Sequence, residues 1–392
     1  VIAAAAEPSR GGPLSGVRVI ELAGLGAAQL GGGLLADLGA DVVLIERADA
    51  AGASAAAGDT RNVLRRGRRS IAIDLKAPAG VSLATALIER ADVVIDPYRP
   101  GVTERLGLGP DAMRERNPRL IYARMTAWGQ DGPLAATAAH DINVIALSGA
   151  LHLLGERDSV PPVPLNLVGD FGGGAMLLAF AIAVALFERA GSGAGQVIDV
   201  AMIDGVASLL SSICRLDAAD GGFSGERHSH WLQGEAPWYR AYRTADGRFV
   251  TVGAYEARFY AELLGRLGLD PAQWPQWDRE CWPQLSARIA AIFAGRTMAD
   301  WQAFFAGADV CFAPALRLDE LLDDAQIAAR ETFISRDGVV QPAVAPRFER
   351  TPGHLSGVPP AAGQHTLELL EELGVAPAER EALLRAEVVA TA

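Results

Sequence analysis

At 392 residues, with 50% hydrophobic and 21% charged content, the chain has the composition of a packed globular protein long enough for two domains. Its 35 Lys+Arg against 47 Asp+Glu leave a formal charge of −12, which argues against nucleic acid or an anionic membrane as the main partner. Any anionic ligand must therefore be met by a local basic cluster. Three cysteines, Cys214, Cys281 and Cys311, are widely spaced in no metal-like pattern and fit structural thiols in a reducing cytoplasm.

The N-terminal V-I-A-A-A-A-E-P-S-R-G-G lacks the basic start and apolar core of a signal peptide and is expected to be a loose tail. From Val17 short β-branched runs alternate with helix-length segments: V-R-V-I-E-L, D-V-V-L-I-E, S-I-A-I-D-L, A-D-V-V-I-D, L-I-Y-A-R-M. Near-continuous apolar strands separated by helices predict a parallel sheet covered on both faces. Between Ala48 and Asp59 small residues predict a surface loop. A helix is expected from Gly173 to Arg189, then a strand in Q-V-I-D-V and a helix through Ser212. The longest uncharged apolar run, Phe171 to Phe187, is shorter than the roughly 20 residues of a membrane span and predicts a buried helix.

The doubly wound pattern ends near residue 215, and 216–234 reads as a polar linker. A smaller α+β domain over 235–330 follows, opening on a strand pair with a D-G turn in R-A-Y-R-T-A-D-G-R-F-V-T-V-G and continuing into Trp-rich helices. Residues from about 335 to 392 return to complete the large 1–215 domain, ending in the helix T-L-E-L-L-E-E-L-G. The fold class is α/β: a large, doubly wound, Rossmann-like parallel-sheet domain with a smaller α+β domain.

Four groups of residues bear on chemistry. G24-L-G26-A-A-Q29 after the first strand, with Glu46 some 20 residues on, imitates a dinucleotide fingerprint, but Gln29 replaces the third glycine and a tight strand-to-helix turn explains it. Lys76 is the only lysine in an arginine-rich chain, and Arg47, Arg99 and Arg105 lie at or just beyond strand ends, where open α/β sheets bind ligands. Together they sketch the phosphate site that the acidic balance makes necessary. His228 and His230 have no third ligand nearby and read as an exposed linker, so no metal site is assigned. His140 and Asp170 lie 30 positions apart, the aspartate followed by Gly172, Gly173 and Gly174. The two are candidates for acid/base work if burial raises the carboxyl, and glycines opening a helix would leave backbone N–H groups free for a developing anion. Alone, a histidine beside Asp141 in a sheet domain is most often structural.

By A-H-D-I-N, P-L-N-L-V-G-D-F-G-G-G and V-G-A-Y-E-A-R-F-Y, and by further stretches across nearly its whole length, the sequence resembles the class III CoA-transferase family and, within it, the α-methylacyl-CoA racemases. The resemblance implies an isomerase of lipid metabolism, R/S interconversion of 2-methyl-branched acyl-CoA thioesters through an enolate, and no cofactor beyond the CoA of the substrate. It assigns Arg47, Ile73, Lys76, Tyr98, Arg99 and Arg105 to CoA, and His140 and Asp170 to opposite sides of the α-carbon. Glu256 would pair with the histidine, and Asp141, Asn166, Gly172 and Tyr239 would support the site. It also implies an interlocked homodimer, in which the glutamate meeting the histidine is Glu256 of the partner subunit, with neither nucleic acid nor membrane as partner. Two alternatives stand beside it: CoA transfer between carboxylates with Asp170 as nucleophile, and acyl-CoA binding without turnover. The chain departs from the family pattern at Ala27-Ala28-Gln29, Ala139, Val144 and Glu235. An alanine at 139 would be strained if that position required positive φ.

Overall fold

The computed structural model describes residues 11–51, 62–214 and 226–392. The N-terminal tail, most of the small-residue loop after Ala48 and most of the 216–234 linker lie outside the described residues. The chain divides into two units, one of residues 1–148, 164–209 and 332–392, the other of 149–163 and 210–331.

In the first unit the expected apolar runs form strands β1 (Arg18–Leu22), β2 (Asp41–Glu46), β3 (Arg68–Ile73), β4 (Val93–Asp96), β5 (Ile121–Thr126) and β6 (Val197–Ala201). They pair in parallel in the order β3-β2-β1-β4-β5-β6, the doubly wound arrangement. β1 to β4 are apolar almost throughout because helices cover both faces of the sheet, leaving Ile20, Val43, Ile71 and Val94 without solvent exposure. β3 begins two residues earlier than its apolar run. Arg68 is buried in it because its Nε meets Glu21 Oε2 of β1 at 2.8 Å. Arg69 is held by Asp41 Oδ2 at 2.7 Å and Glu368 Oε1 at 2.8 Å. These arginines serve the sheet rather than a ligand.

Helices α1 (Ala27–Asp37), α2 (Pro78–Glu89), α3 (Val102–Arg105), α4 (Pro110–Arg116) and α5 (Asp141–Leu147) follow in chain order. The long apolar helix differs from expectation at its start. A nine-residue π-helix, Leu167–Ala175, precedes α6 (Met176–Ser192), and the three glycines lie within it rather than opening an α-helix. The wide turn is set by the Phe171 N–H reaching back five residues to Asn166 O at 3.2 Å. Gly173 lets α7 (Met202–Leu209) approach: a Cβ on Gly205 of α7 would lie 1.8 Å from Gly173 O.

The buried-helix expectation also needs correction. Of α6 only Leu178, Ile182, Ala185 and Arg189 are buried. Met176, Phe180, Val184 and Phe187, spaced along the opposite face, are 57%, 65%, 48% and 84% exposed. The helical run Leu167–Ser192, 26 residues, is long and apolar enough by length and composition to cross a membrane.

The second unit carries the antiparallel sheet β7 (Tyr239–Arg243), β8 (Phe249–Gly253) and β9 (Phe312–Pro314). The D-G turn joins the first two, with Gly247 at φ 75°. Its helices include α8 (Ala257–Arg266), α9 (Trp282–Phe293), α10 (Met298–Phe304) and α11 (Ala325–Arg330), and Trp238, Phe293 and Trp301 fill its core. Residues 149–163, read from sequence as part of the large domain, join this unit because Gln233 Nε2 donates to Leu153 O at 3.0 Å and His228 Nδ1 lies 3.4 Å from Glu156.

Back in the first unit come a hairpin, β10 (Phe333–Arg336) and β11 (Val339–Pro342), then helices α12 (Thr366–Glu372) and α13 (Pro377–Arg385). A last strand, β12 (Val389–Ala390), pairs antiparallel with β3 through Val389↔Ile73. No periodic signal in the sequence announced this seventh strand.

The Gly205–Gly173 approach leaves no room for a methyl group. Gly205→Ala is expected to destabilise the fold by about 3 kcal/mol or more, measured as a lower urea midpoint; an unchanged midpoint would show that the helices separate freely.

Candidate active site

Asp141 organises the first cluster. It is the first residue of α5 and is buried, and its Oδ2 accepts the backbone N–H of Gly169 at 2.6 Å and of Asp170 at 2.7 Å. Those donors begin the π-helix, so the carboxylate satisfies helix-terminal N–H groups that would otherwise be orphaned. His140 is the N-cap of α5, in extended backbone (φ −126°, ψ 174°) with an exposed side chain. Asn143 Oδ1 accepts its N–H at 3.1 Å. Ala139 does not have positive φ, so the feared backbone strain is absent. Val144, another departure, is fully buried.

Asp170 is half-buried, and burial pushes its pKa above the ordinary aspartate value, with the Asp141 charge adding to the effect. A long hydrogen bond from Asn166 Nδ2 (3.4 Å) and the His140 imidazole pull the other way. The G-L-G turn after β1 closes on the same carboxyl: Gly26 has φ 56°, and a Cβ there would lie 2.6 Å from Asp170 Oδ2. The turn is thus a tight strand-to-helix connection, as expected, but it also walls the acid, a role its sequence signal did not reveal. Glu46 does not await a ribose, since Arg65 Nη2 holds its Oε2 at 2.7 Å.

The expectation of free backbone donors is overturned at Asp170, whose N–H already serves Asp141. The glycines after it are explained by packing. Cβ atoms on Gly173 and Gly174 would meet Val206 at 2.7 Å and Ala27 at 2.8 Å, while one on Gly172 would lie 3.1 Å from Leu167 O within the π-helix itself.

A cleft of about 980 Å³ opens in the same unit and is lined by Arg47, Ile73, Lys76 and Tyr98. These follow or end β2, β3 and β4, at the carboxyl edge of the sheet where doubly wound folds bind ligands. Arg47 Nε donates to Asp49 Oδ1 at 2.9 Å; both side chains are exposed, so an incoming phosphate competes against a weak pair. The Lys76 N–H is fixed by Asp74 Oδ1 at 2.9 Å while its ammonium is exposed. Arg99 and Arg105 do not line the cleft. Arg99 Nη1 reaches Ala136 O at 3.5 Å, and the Arg105 guanidinium lies over Gly101. The cleft also has a wall that sequence reasoning missed entirely, residues 384–391 at the C-terminal end.

The remaining candidates belong to the second unit. Glu256 is the exposed N-cap of the helix Ala257–Arg266, and the Tyr239 ring meets Trp231 edge-on at 5.1 Å. Glu235 is neutralised by an ion pair with Arg279. His230 corrects the exposed-linker reading: it is 8% exposed, and its Nδ1 accepts the Leu232 N–H at 3.2 Å. Among the described residues no three His, Cys, Asp or Glu side chains are grouped to hold a metal.

The raised pKa of Asp170 has a stability consequence. A folded-state value above the unfolded one means that ionisation opposes folding: the relative benefit is complete below the unfolded pKa and is lost as pH rises through the folded one. Asp170→Asn is therefore expected to raise the thermal midpoint near neutral pH and to lose that advantage in acid. A midpoint difference that does not change with pH would contradict this.

The profile of CoA-transferase family III matches residues 14–366. The α-methylacyl-CoA racemase of Mus musculus is 43% identical over 93% of this chain and 94% of its own, and that of Homo sapiens is 40% identical over 92% and 93%. The crystal structure of a CAIB/BAIF family protein from Brucella suis superposes with a TM-score of 0.78 at 26% identity, covering 93% of this chain and all (100%) of that one. With a doubly wound sheet, a cleft at its carboxyl edge and sequence identity over nearly the whole length, the chain belongs to CoA-transferase family III.

Proposed function

We propose that the protein interconverts the R and S forms of 2-methyl-branched acyl-CoA thioesters by 1,1-proton transfer. The observation that carries this reading is a half-buried carboxyl, Asp170, with a raised pKa, coupled electrostatically to His140 in the unit that holds the cleft. The mouse and human relatives named as racemases support it.

The thioester carbonyl acidifies its α-C–H. One base removes that proton to give a planar enolate, and the opposite group returns a proton to the other face. Neutral His140 with protonated Asp170 drives one direction, and imidazolium with carboxylate the other. A raised aspartate pKa keeps the acid form available nearer neutrality. In the cleft Arg47, Ile73, Lys76 and Tyr98 contact CoA, the positive charges of Arg47 and Lys76 answering its phosphates, while Arg99 and Arg105 stand outside the lining. Asn166 and Asp141 hold Asp170, and Gly172 shapes the turn beside it.

In this reading Glu256, from a second copy of the chain, orients His140 and stabilises its imidazolium. The exposed stripe of Met176, Phe180, Val184 and Phe187 supports such a homodimer, since an apolar helix face of this kind is ordinarily covered. Three free thiols support a reducing, cytoplasmic setting.

Incubating a chiral 2-methylacyl-CoA in deuterated water is expected to give α-deuterium uptake with loss of optical activity; neither appearing would sink the racemase reading. CoA exchange onto a free carboxylate, with hydroxylamine trapping an Asp170 anhydride, would instead establish the transferase, and binding without either reaction would leave a carrier. His140→Ala should lower α-proton exchange by about 10²-fold or more with little change in CoA affinity. Phe180→Asp together with Phe187→Asp should yield monomers in sedimentation and lose activity with them; a fully active monomer would refute the shared site.

A further inference from the structure

The C-terminal end of the chain carries an element of the cleft that the family profile, ending at residue 366, does not include. After α13 the backbone turns at Glu387, which adopts φ 55°, and β12 then lies along the edge of β3. The edge is firmly held. Asp74 N–H donates to Val388 O at 2.8 Å, and Thr366 Oγ1 bridges the two strands by donating to Ala390 O at 2.7 Å and accepting the Ala72 N–H at 3.2 Å. Asp74 and Ile73 also line the cleft, so the bonds that fix the last strand fix the wall against Lys76 and Arg47.

The chemistry of that wall differs from the rest of the site. Leu384 and Ala390 offer apolar surface, and Glu387 offers a carboxylate. A carboxylate repels phosphate, so it suits a part of the ligand that donates hydrogen bonds. At the nucleotide end of a CoA thioester the donors are the exocyclic amine of adenine and the free ribose hydroxyl, and the base presents a flat apolar face. Arg47 and Lys76, across the strand ends, answer the phosphates. The division of labour in one cleft matches an adenosine phosphate rather than a bare polyphosphate.

We propose that residues Leu384–Thr391 form the nucleoside-recognising wall of the CoA site, with the apolar side chains packing the base and Glu387 accepting a hydrogen bond from the adenosine moiety. This rests on the CoA-thioester reading above and adds to it a specificity element supplied by the last strand.

Two variants test it without removing the buried strand: Thr391→Trp, which fills the cleft from its exposed end, and Glu387→Ala. The same 2-methylacyl group is presented on CoA and on pantetheine, which lacks the nucleotide. Each variant is expected to raise KM for the CoA thioester about tenfold, the scale of one charge-assisted hydrogen bond, and to leave KM for the pantetheine thioester where it was. Equal changes with both carriers, or no change with either, would overturn the proposal. If the unaltered protein exchanges no α-proton on either carrier, the racemase reading falls by itself. Calorimetric titration with CoA then decides the wall: a Kd weakened about tenfold in both variants supports it, and an unaltered Kd rejects it.

Discussion

The interaction on which the rest of the site depends is the buried Asp141 carboxylate receiving the N–H groups of Gly169 and Asp170. One side chain ties the start of α5, where His140 sits as the cap, to the start of the π-helix that presents Asp170. A buried carboxylate costs free energy unless it is hydrogen-bonded; two short charge-assisted bonds compensate Oδ2, while Oδ1 is buried with no hydrogen-bond partner among the described residues. The same charge, unable to move away, helps push the Asp170 pKa upward. Structure and acid/base tuning therefore have one source.

Glycine then makes the arrangement dense. Gly26 admits the Asp170 carboxyl against the turn after β1, and Gly173 with Gly205 brings α7 onto the π-helix at backbone distance. Seen this way, the glycines beside Asp170 are packing elements that keep its backbone from shifting. Close backbone contacts hold Asp170 rigidly, and the proton transfer proposed above requires such rigid placement of its acid/base groups.

The cleft obeys a different rule. Its position follows from sheet topology, because parallel strands all end on one edge and the loops after β2, β3 and β4 converge there. The loops bring Arg47, Lys76 and Tyr98 together although 51 positions separate the first from the last. The cleft lining sets Arg47 and Lys76 beside Glu46, Asp49, Asp74 and Glu387, so attraction of an anion falls on two exposed cations, while Arg66, Arg68 and Arg69 are consumed by Asp37, Glu21 and Asp41.

Much of this was legible in the amino-acid order. Apolar runs of four to six residues at helix-length spacing determine the parallel sheet, because a strand covered on both faces cannot alternate. Arg47 and Lys76 pointed to the edge where the cleft opens, although Arg99 and Arg105, singled out with them, do not line it, and His140 and Asp170 stood out by chemistry. What only tertiary structure decided are long-range contacts without a periodic signal. Asp141 bonds residues 28 and 29 positions away, Gly26 meets an acid 144 positions on, and a two-residue strand at the end of the chain closes the sheet and walls the cleft. A π-turn and a short edge strand are stabilised by what packs against them rather than by local propensity, so their residues carry no signature until the chain has folded.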